Sequence, residues 1–86
     1  MPKIKELLAN EEEIWVDLNE DNYRAFFKQA KAEGFVWINR REIQPDKELF
    51  RFCIAVLKEG KIGCVNGYAR FGDGAKPKIY TFSIVN

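Results

Sequence analysis

The chain has 86 residues, of which 47% are hydrophobic, 14% aromatic and 31% charged, and its formal net charge is +1. This length suits one compact domain, residues 1–86, and the aromatic share supplies the dense core that a chain with so much surface requires. The composition excludes disorder, the balanced charge argues against a generic polyanion binder, and no apolar run of about 18 residues is present to span a membrane.

Pro2 fits the first turn of a helix, and Ile4, Leu7 and Leu8 then share one face of a short amphipathic helix over residues 3–9. Ile14 to Leu18 alternates as a strand, with Ile14, Val16 and Leu18 on one side and Trp15 and Asp17 on the other. Asn19 is a good N-cap, and Glu20 and Asp21 stand where the helix dipole favours negative charge. Tyr23, Phe26, Phe27 and Ala30 follow at i, i+3, i+4 and i+7, the stripe of a helix packed on a sheet, and Gly34 ends it.

Phe35 to Ile38 reads as a second strand and residues 39–48, with Gln44-Pro45-Asp46, as a polar connecting loop. Leu49 to Leu57 alternates again, with Phe50, Phe52, Ile54 and Val56 pointing one way. Lys58-Glu59-Gly60 is a tight turn, and Ile62 to Asn66 returns as the partner strand. With Gly60 left-handed, Ile54 falls opposite Cys64 and Val56 opposite Ile62. Gly72-Asp73-Gly74 is a loop, and Ile79 to Val85 closes the sheet, with Tyr80, Phe82 and Ile84 on one face. The expectation is an α+β domain, order α-β-α-β-β-β-β, in which two helices cover one face of a largely antiparallel sheet of four to five strands.

The residues offer little catalytic chemistry. There is no histidine, which removes the commonest general base and every histidine-containing metal site or triad. Cys53 and Cys64 lack the spacing of a zinc or redox pair. In the register above they point to opposite faces, so two separate thiols in a reducing cytosol are expected. The start of the chain lacks the pattern of a signal peptide. Gly72-Asp73-Gly74-Ala75-Lys76 only superficially resembles a phosphate loop, since Pro77 and a strand follow it. No cofactor and no enzymatic activity are expected.

Charge is unevenly distributed along the chain. Glu6, Glu11, Glu12, Glu13, Asp17, Glu20 and Asp21 precede Arg24 with no Lys or Arg among them, and basic residues dominate thereafter. Glu20 and Asp21 are explained by the helix dipole. Glu11, Glu12, Glu13 and Asp17 have no evident local role, and clustered carboxylates can imitate the phosphate spacing of a nucleic acid in a partner's basic cleft. Arg40 and Arg41, with Lys28 and Lys31, form a candidate basic patch. Gly67-Tyr68-Ala69-Arg70-Phe71 partly echoes an RNA-recognition strand, and exposed Tyr68, Arg70 and Phe71 suit stacking and cation–π contact with single strands.

The stretch Tyr23-x-x-Phe26-Phe27-x-x-Ala30-x-x-x-Gly34-Phe35-x-Trp37 resembles small proteins encoded in bacteriophage and prophage genomes. The hairpin around Cys53-Ile54 and Gly60-Lys61-Ile62 and the terminal Ile79-Tyr80-Thr81-Phe82 fit the same pattern, which covers roughly residues 14–86. The chain departs from it at Ile38-Asn39-Arg40-Arg41, where a Ser-Gly turn is usual, and in its additional first helix. The resemblance carries no catalytic residues. It implies a small phage protein in the bacterial cytoplasm that binds and inhibits a host or defence protein, for example a CRISPR-associated nuclease. The residues alone leave two alternatives, a single-stranded nucleic-acid-binding module and a self-associating structural subunit.

Overall fold

Phe26, Phe27 and Ala30 are fully buried along one side of a ten-residue helix, and the sheet is assembled beneath that side. The computed structural model describes residues 3–82. Pro2, Ile84 and Val85, assigned above to the first helix and the last strand, lie outside the described residues. In chain order the elements are α1 (Ile4–Leu8), β1 (Glu13–Asp17), α2 (Tyr23–Ala32), β2 (Val36–Trp37), β3 (Cys53–Leu57), β4 (Lys61–Cys64), α3 (Gly67–Phe71) and β5 (Lys78–Thr81).

The N-cap of α2 is Asn22 rather than the expected Asn19, and its first turn holds no acidic residue, so Asn19, Glu20 and Asp21 belong to the turn before the helix. The Asn19 side-chain oxygen accepts from the N–H groups of Asp21 and Asn22 at 2.8 and 3.0 Å, closing the turn that leads into the helix. Asn22, buried, carries the connection further. Its oxygen accepts from the Asn19 N–H at 2.8 Å, and its amide nitrogen donates to the Phe82 carbonyl at 2.6 Å. A buried amide satisfied on both sides ties the start of α2 to the chain just beyond β5. Gly34 follows the helix at φ 88°, a conformation that side chains disfavour. Glu33 then reaches across to α1, where its carboxylate accepts from the N–H groups of Ile4 and Lys5 at 2.8 and 2.9 Å. A helix of five residues is too short to stand alone in water, so this borrowed cap and the burial of Ile4 and Leu8 hold it in place.

Among the described residues the sheet is five-stranded, in the order β2-β4-β3-β1-β5. β3 runs antiparallel to both β1 and β4, whereas β5 is parallel to β1 and β2 is parallel to β4. The sheet is therefore mixed, and the expectation of a largely antiparallel one is corrected. Only Lys58-Glu59-Gly60 is short enough to enforce a hairpin, and Gly60 takes the left-handed conformation at φ 90°. The stretch 65–77 between β4 and β5 is long enough for a crossover, which permits a parallel neighbour. Within the hairpin the register is the expected one, Ile54 opposite Cys64 and Val56 opposite Ile62.

Two further corrections concern the chain after β2. β3 begins at Cys53 rather than Leu49, so Phe50 and Phe52 precede it and are partly exposed instead of joining the core with Ile54 and Val56. Gly67–Phe71, read above as a recognition-type strand, is a helix, and the order among the described residues is α-β-α-β-β-β-α-β with three helices. Asn66 is its N-cap and accepts from the Ala69 N–H at 2.8 Å. Among the described residues no helix is long and apolar enough to cross a membrane.

The main core lies between the sheet and the helices α1 and α2. Ile14 and Val16 of β1, Ile54 and Val56 of β3, Ile62 of β4, Trp37 of β2 and Phe82 meet Ile4, Leu8, Phe26, Phe27 and Ala30 there. Ile43 joins them although it lies in the irregular stretch between β2 and β3, and it is fully buried. Its carbonyl accepts from Lys31 Nζ at 3.1 Å, and Glu48 accepts from Trp37 Nε1 at 3.0 Å and from the Gln44 N–H at 2.9 Å. The connection is thus pinned at several points. We predict that Ile43→Ala lowers stability by about 2–5 kcal/mol, as for a core position rather than a loop. Urea unfolding of the two chains measures the difference, and a change below about 0.5 kcal/mol would contradict the anchoring role.

Candidate functional site

The sheet face away from α1 and α2 carries a second, smaller cluster of Trp15, Cys53 and Val65, with Ala55 and Ile79 packed against it. The alternation of β1 places Asp17 on this face beside Trp15, and the register sets Asp17 opposite Cys53. α3 comes over this end of the sheet. Arg70 forms a two-pronged contact with Asp17, Nε to Oδ1 at 3.0 Å and Nη2 to Oδ2 at 2.7 Å, which is the strong geometry for guanidinium and carboxylate.

That pair sets the local electrostatics. The hydrogen bonds from Arg70 hold the Asp17 carboxyl below its ordinary value against the opposing effect of partial burial, and a hydrogen bond with Cys53 acts in the same direction. The Cys53 thiol is pushed up to about 12, first by burial and then by Asp17. A thiol so raised is protonated near neutral pH and is a poor nucleophile. Cys64 is free and exposed, and the two cysteines lie on opposite faces as expected.

Beyond Arg70, α3 presents aromatic surface to water. Tyr68 is 94% exposed and Phe71 73% exposed. Phe71 stacks on Phe52 with ring centroids 6.0 Å apart and planes 9° apart, and the Arg70 guanidinium lies 5.2 Å from the Phe71 ring centre. An open concavity of ≈ 680 Å³ is lined by Asn66, Gly67, Tyr68, Phe71 and Gly72. A neighbouring one of ≈ 330 Å³ shares Asn66 and is lined also by Phe50, Arg51 and Phe52. Tyr68, Arg70, Phe71 and Asp17 are thus brought together, and Phe52 joins them. The strand alternation assigns Phe52 to the core, which hides its role. The Asn66-Gly67 step before Ala69 and Arg70 is a helix-start signal that marks α3.

The other candidates lie elsewhere. Glu11, Glu12 and Glu13 are at the opposite end of β1 from Asp17, about 13 Å of strand away from Glu13. Each has a partner, contrary to the expectation of no local role. Glu11 meets Lys78 at 3.1 Å, Glu12 meets Lys58 at 3.7 Å, and Glu13 accepts from Trp15 Nε1 at 2.7 Å. Arg40 and Arg41 follow β2. Arg40 is exposed at φ 71°, its N–H donating to the Trp37 carbonyl, while Arg41 lies over the Trp37 ring at 5.9 Å and near Glu48 at 3.9 Å. Lys31 is committed to Glu42 and Ile43, so the proposed basic patch loses one member. Among the described residues no group of three or more His, Cys, Asp or Glu is arranged to hold a metal ion.

No protein-family model matches the chain, and comparison with curated proteins and with solved structures likewise finds no match.

The Asp17–Arg70 pair gives a pH-dependent contribution of known sign. Asp17 titrates lower in the folded chain than in the unfolded one, so the stabilisation is present above the unfolded value, about 3.9, and is lost as pH falls through the folded value. We predict that the stability lost in Arg70→Met is full between about pH 5 and 7 and shrinks below about pH 4. Urea unfolding across this range tests it. A deficit that stays constant down to about pH 2 would show that Arg70 contributes packing rather than charge.

Proposed function

We propose that this chain is a non-enzymatic binding protein that seats its α3 surface against a partner protein. The resemblance of residues 14–86 to phage and prophage proteins supplies the partner class, a host or defence protein of the bacterial cytoplasm such as a CRISPR-associated nuclease, which occupancy inhibits. The observation that carries the binding mode is the exposure of Tyr68 beside the Phe71–Phe52 stack. Tyrosine and other aromatic residues dominate the energetics of protein interfaces because each removes a large rigid area from water at small entropic cost. The concavities on either side of Asn66 give a partner's side chains somewhere to enter.

The same geometry weakens the single-strand reading. Arg70 points its Nε and Nη2 donors at Asp17, which reduces its use toward a phosphate, and Phe71 already has Phe52 on its ring. Tyr68 alone keeps a fully free ring for a base. The acidic run supports a secondary contact only, since Glu11 and Glu12 are partly neutralised by Lys78 and Lys58.

Tyr68 makes no hydrogen bond through its side chain among the described residues, so Tyr68→Ala removes contact area without disturbing the fold. We predict unchanged thermal stability and a loss of partner affinity on the order of tenfold or more. The measurement is binding to, and inhibition of, a panel of purified bacterial defence nucleases, run with both chains. Inhibition that Tyr68→Ala leaves intact would remove the α3 surface from the function. If no nuclease responds while oligonucleotides bind with an affinity falling steeply in salt, the nucleic-acid reading replaces this one.

A further inference from the structure

α3 is a five-residue helix that buries none of its own residues. Its attachment to the rest of the molecule can be named contact by contact. Arg70 grips Asp17 on β1 and Phe71 lies on Phe52, while Asn66 caps the first turn from within the segment itself. Irregular segments flank it on both sides, residues 65–66 before and 72–77 after. Under it lies Cys53, only 1% exposed, with its thiol beside both Asp17 and Arg70. Cys53 belongs to the small cluster with Trp15 and Val65, separate from the core that α2 seals.

We propose that α3 is a latch, able to swing away from the sheet as a unit while the main core stays folded, and that the Asp17–Arg70 fork sets how often it opens. Opening uncovers Cys53 and the Trp15 cluster and at the same time displaces Tyr68 and Phe71 from their closed positions. A helix of this length with no buried residue has little of its own to hold it, so a few tertiary contacts control its population. Gly72 adds a steric condition. A Cβ there would collide with the Tyr68 carbonyl oxygen, so the helix's own last turn ends on a residue without a side chain. The inference concerns the chain alone and does not depend on which partner α3 meets.

The two cysteines make the motion measurable. With Cys64→Ser removing the exposed thiol, labelling of Cys53 by a maleimide at fixed pH reports access to the covered face. In this background Arg70→Met separates a latch from a purely electrostatic role by the sign of its effect. The Arg70 cation favours the Cys53 thiolate, so its loss without opening slows labelling. Release of the latch speeds it, and the expected acceleration is on the order of tenfold, nearly independent of low urea concentrations. Phe71→Ala, which removes the stack on Phe52 and leaves every charge in place, is expected to accelerate labelling in the same way. Slower or unchanged labelling in both variants overturns the proposal. So does an acceleration that climbs with urea as global unfolding does.

Discussion

Two adjacent phenylalanines decide how this sheet closes. Side chains one residue apart on a helix diverge by about 100°, so Phe26 and Phe27 reach toward different parts of the chain. Phe26 meets Phe82 edge-to-face at 5.4 Å, beyond β5. Phe27 meets Trp37 at 5.6 Å, on β2 at the far edge of the sheet, and Tyr23 at 6.3 Å. Tyr23 in turn takes Phe50 at 5.5 Å, from the connection that precedes β3. Aromatic pairs in this geometry add about 0.5–1.5 kcal/mol each beyond the area they bury. Through Phe26, Phe27 and Tyr23 the helix gathers both edges of the sheet and the connection before β3 onto one face. The opposite face is left with the Trp15, Cys53 and Val65 cluster, and α3 is what the chain places beside it.

The uneven charge of the sequence has a structural counterpart that reverses its first interpretation. Acids early and bases late suggest a molecule with two poles. Folding instead sets early acids against late bases, Glu11 against Lys78, Glu12 against Lys58 and Asp17 against Arg70. These contacts run from the two residues before β1 to β5 and to the hairpin turn, and from the end of β1 to α3. The two exposed pairs are worth little energetically, but each is consistent with the register that the apolar residues dictate. Agreement between weak and strong signals is what distinguishes a sequence that specifies one fold from one that merely collapses.

Where the sequence could be read, one local cause dominated. α2 was legible because its apolar stripe and its terminating Gly34 act within a few residues, although its N-cap is Asn22 rather than Asn19. The β3–β4 register was legible because a three-residue turn with a left-handed Gly60 leaves few choices. β1 was legible as an alternating strand, with Ile14 and Val16 on the side opposite Trp15 and Asp17. The errors arose where tertiary contacts override local pattern. Phe50 and Phe52 continue the alternation of Ile54 and Val56, yet Phe50 turns to Tyr23 and Phe52 to Phe71. The direction of β5 depends on a crossover that no dipeptide announces. Glu33 as a cap for α1 is invisible locally, because its partners stand almost thirty positions away. At the candidate site, Tyr68, Arg70 and Phe71 were singled out for their chemistry, and their assignment to a strand was wrong. Asp17 was singled out for its charge, and its pairing with Arg70 was not foreseen.

The exposure of Tyr68 and Phe71 has to be weighed against what folding itself demands. A strand that shows aromatic residues at its end is often displaying the margin of a core. α3 is different, since no residue of it is buried and its attachment relies on an ion pair and one ring stacked on another. Phe71 takes part in that attachment through Phe52, so the fold accounts for part of its apolar surface. Tyr68 takes no part in it. Its ring lies almost wholly in water, where a smaller polar residue would serve the helix equally well and reduce the exposed apolar area. A large aromatic side chain that the fold does not use, held over a concavity on a short helix, is what the proposed contact with a partner rests on. In that proposal the Asp17–Arg70 contact that fixes the helix also sets where Tyr68 stands, so tether and contact surface act as one physical unit.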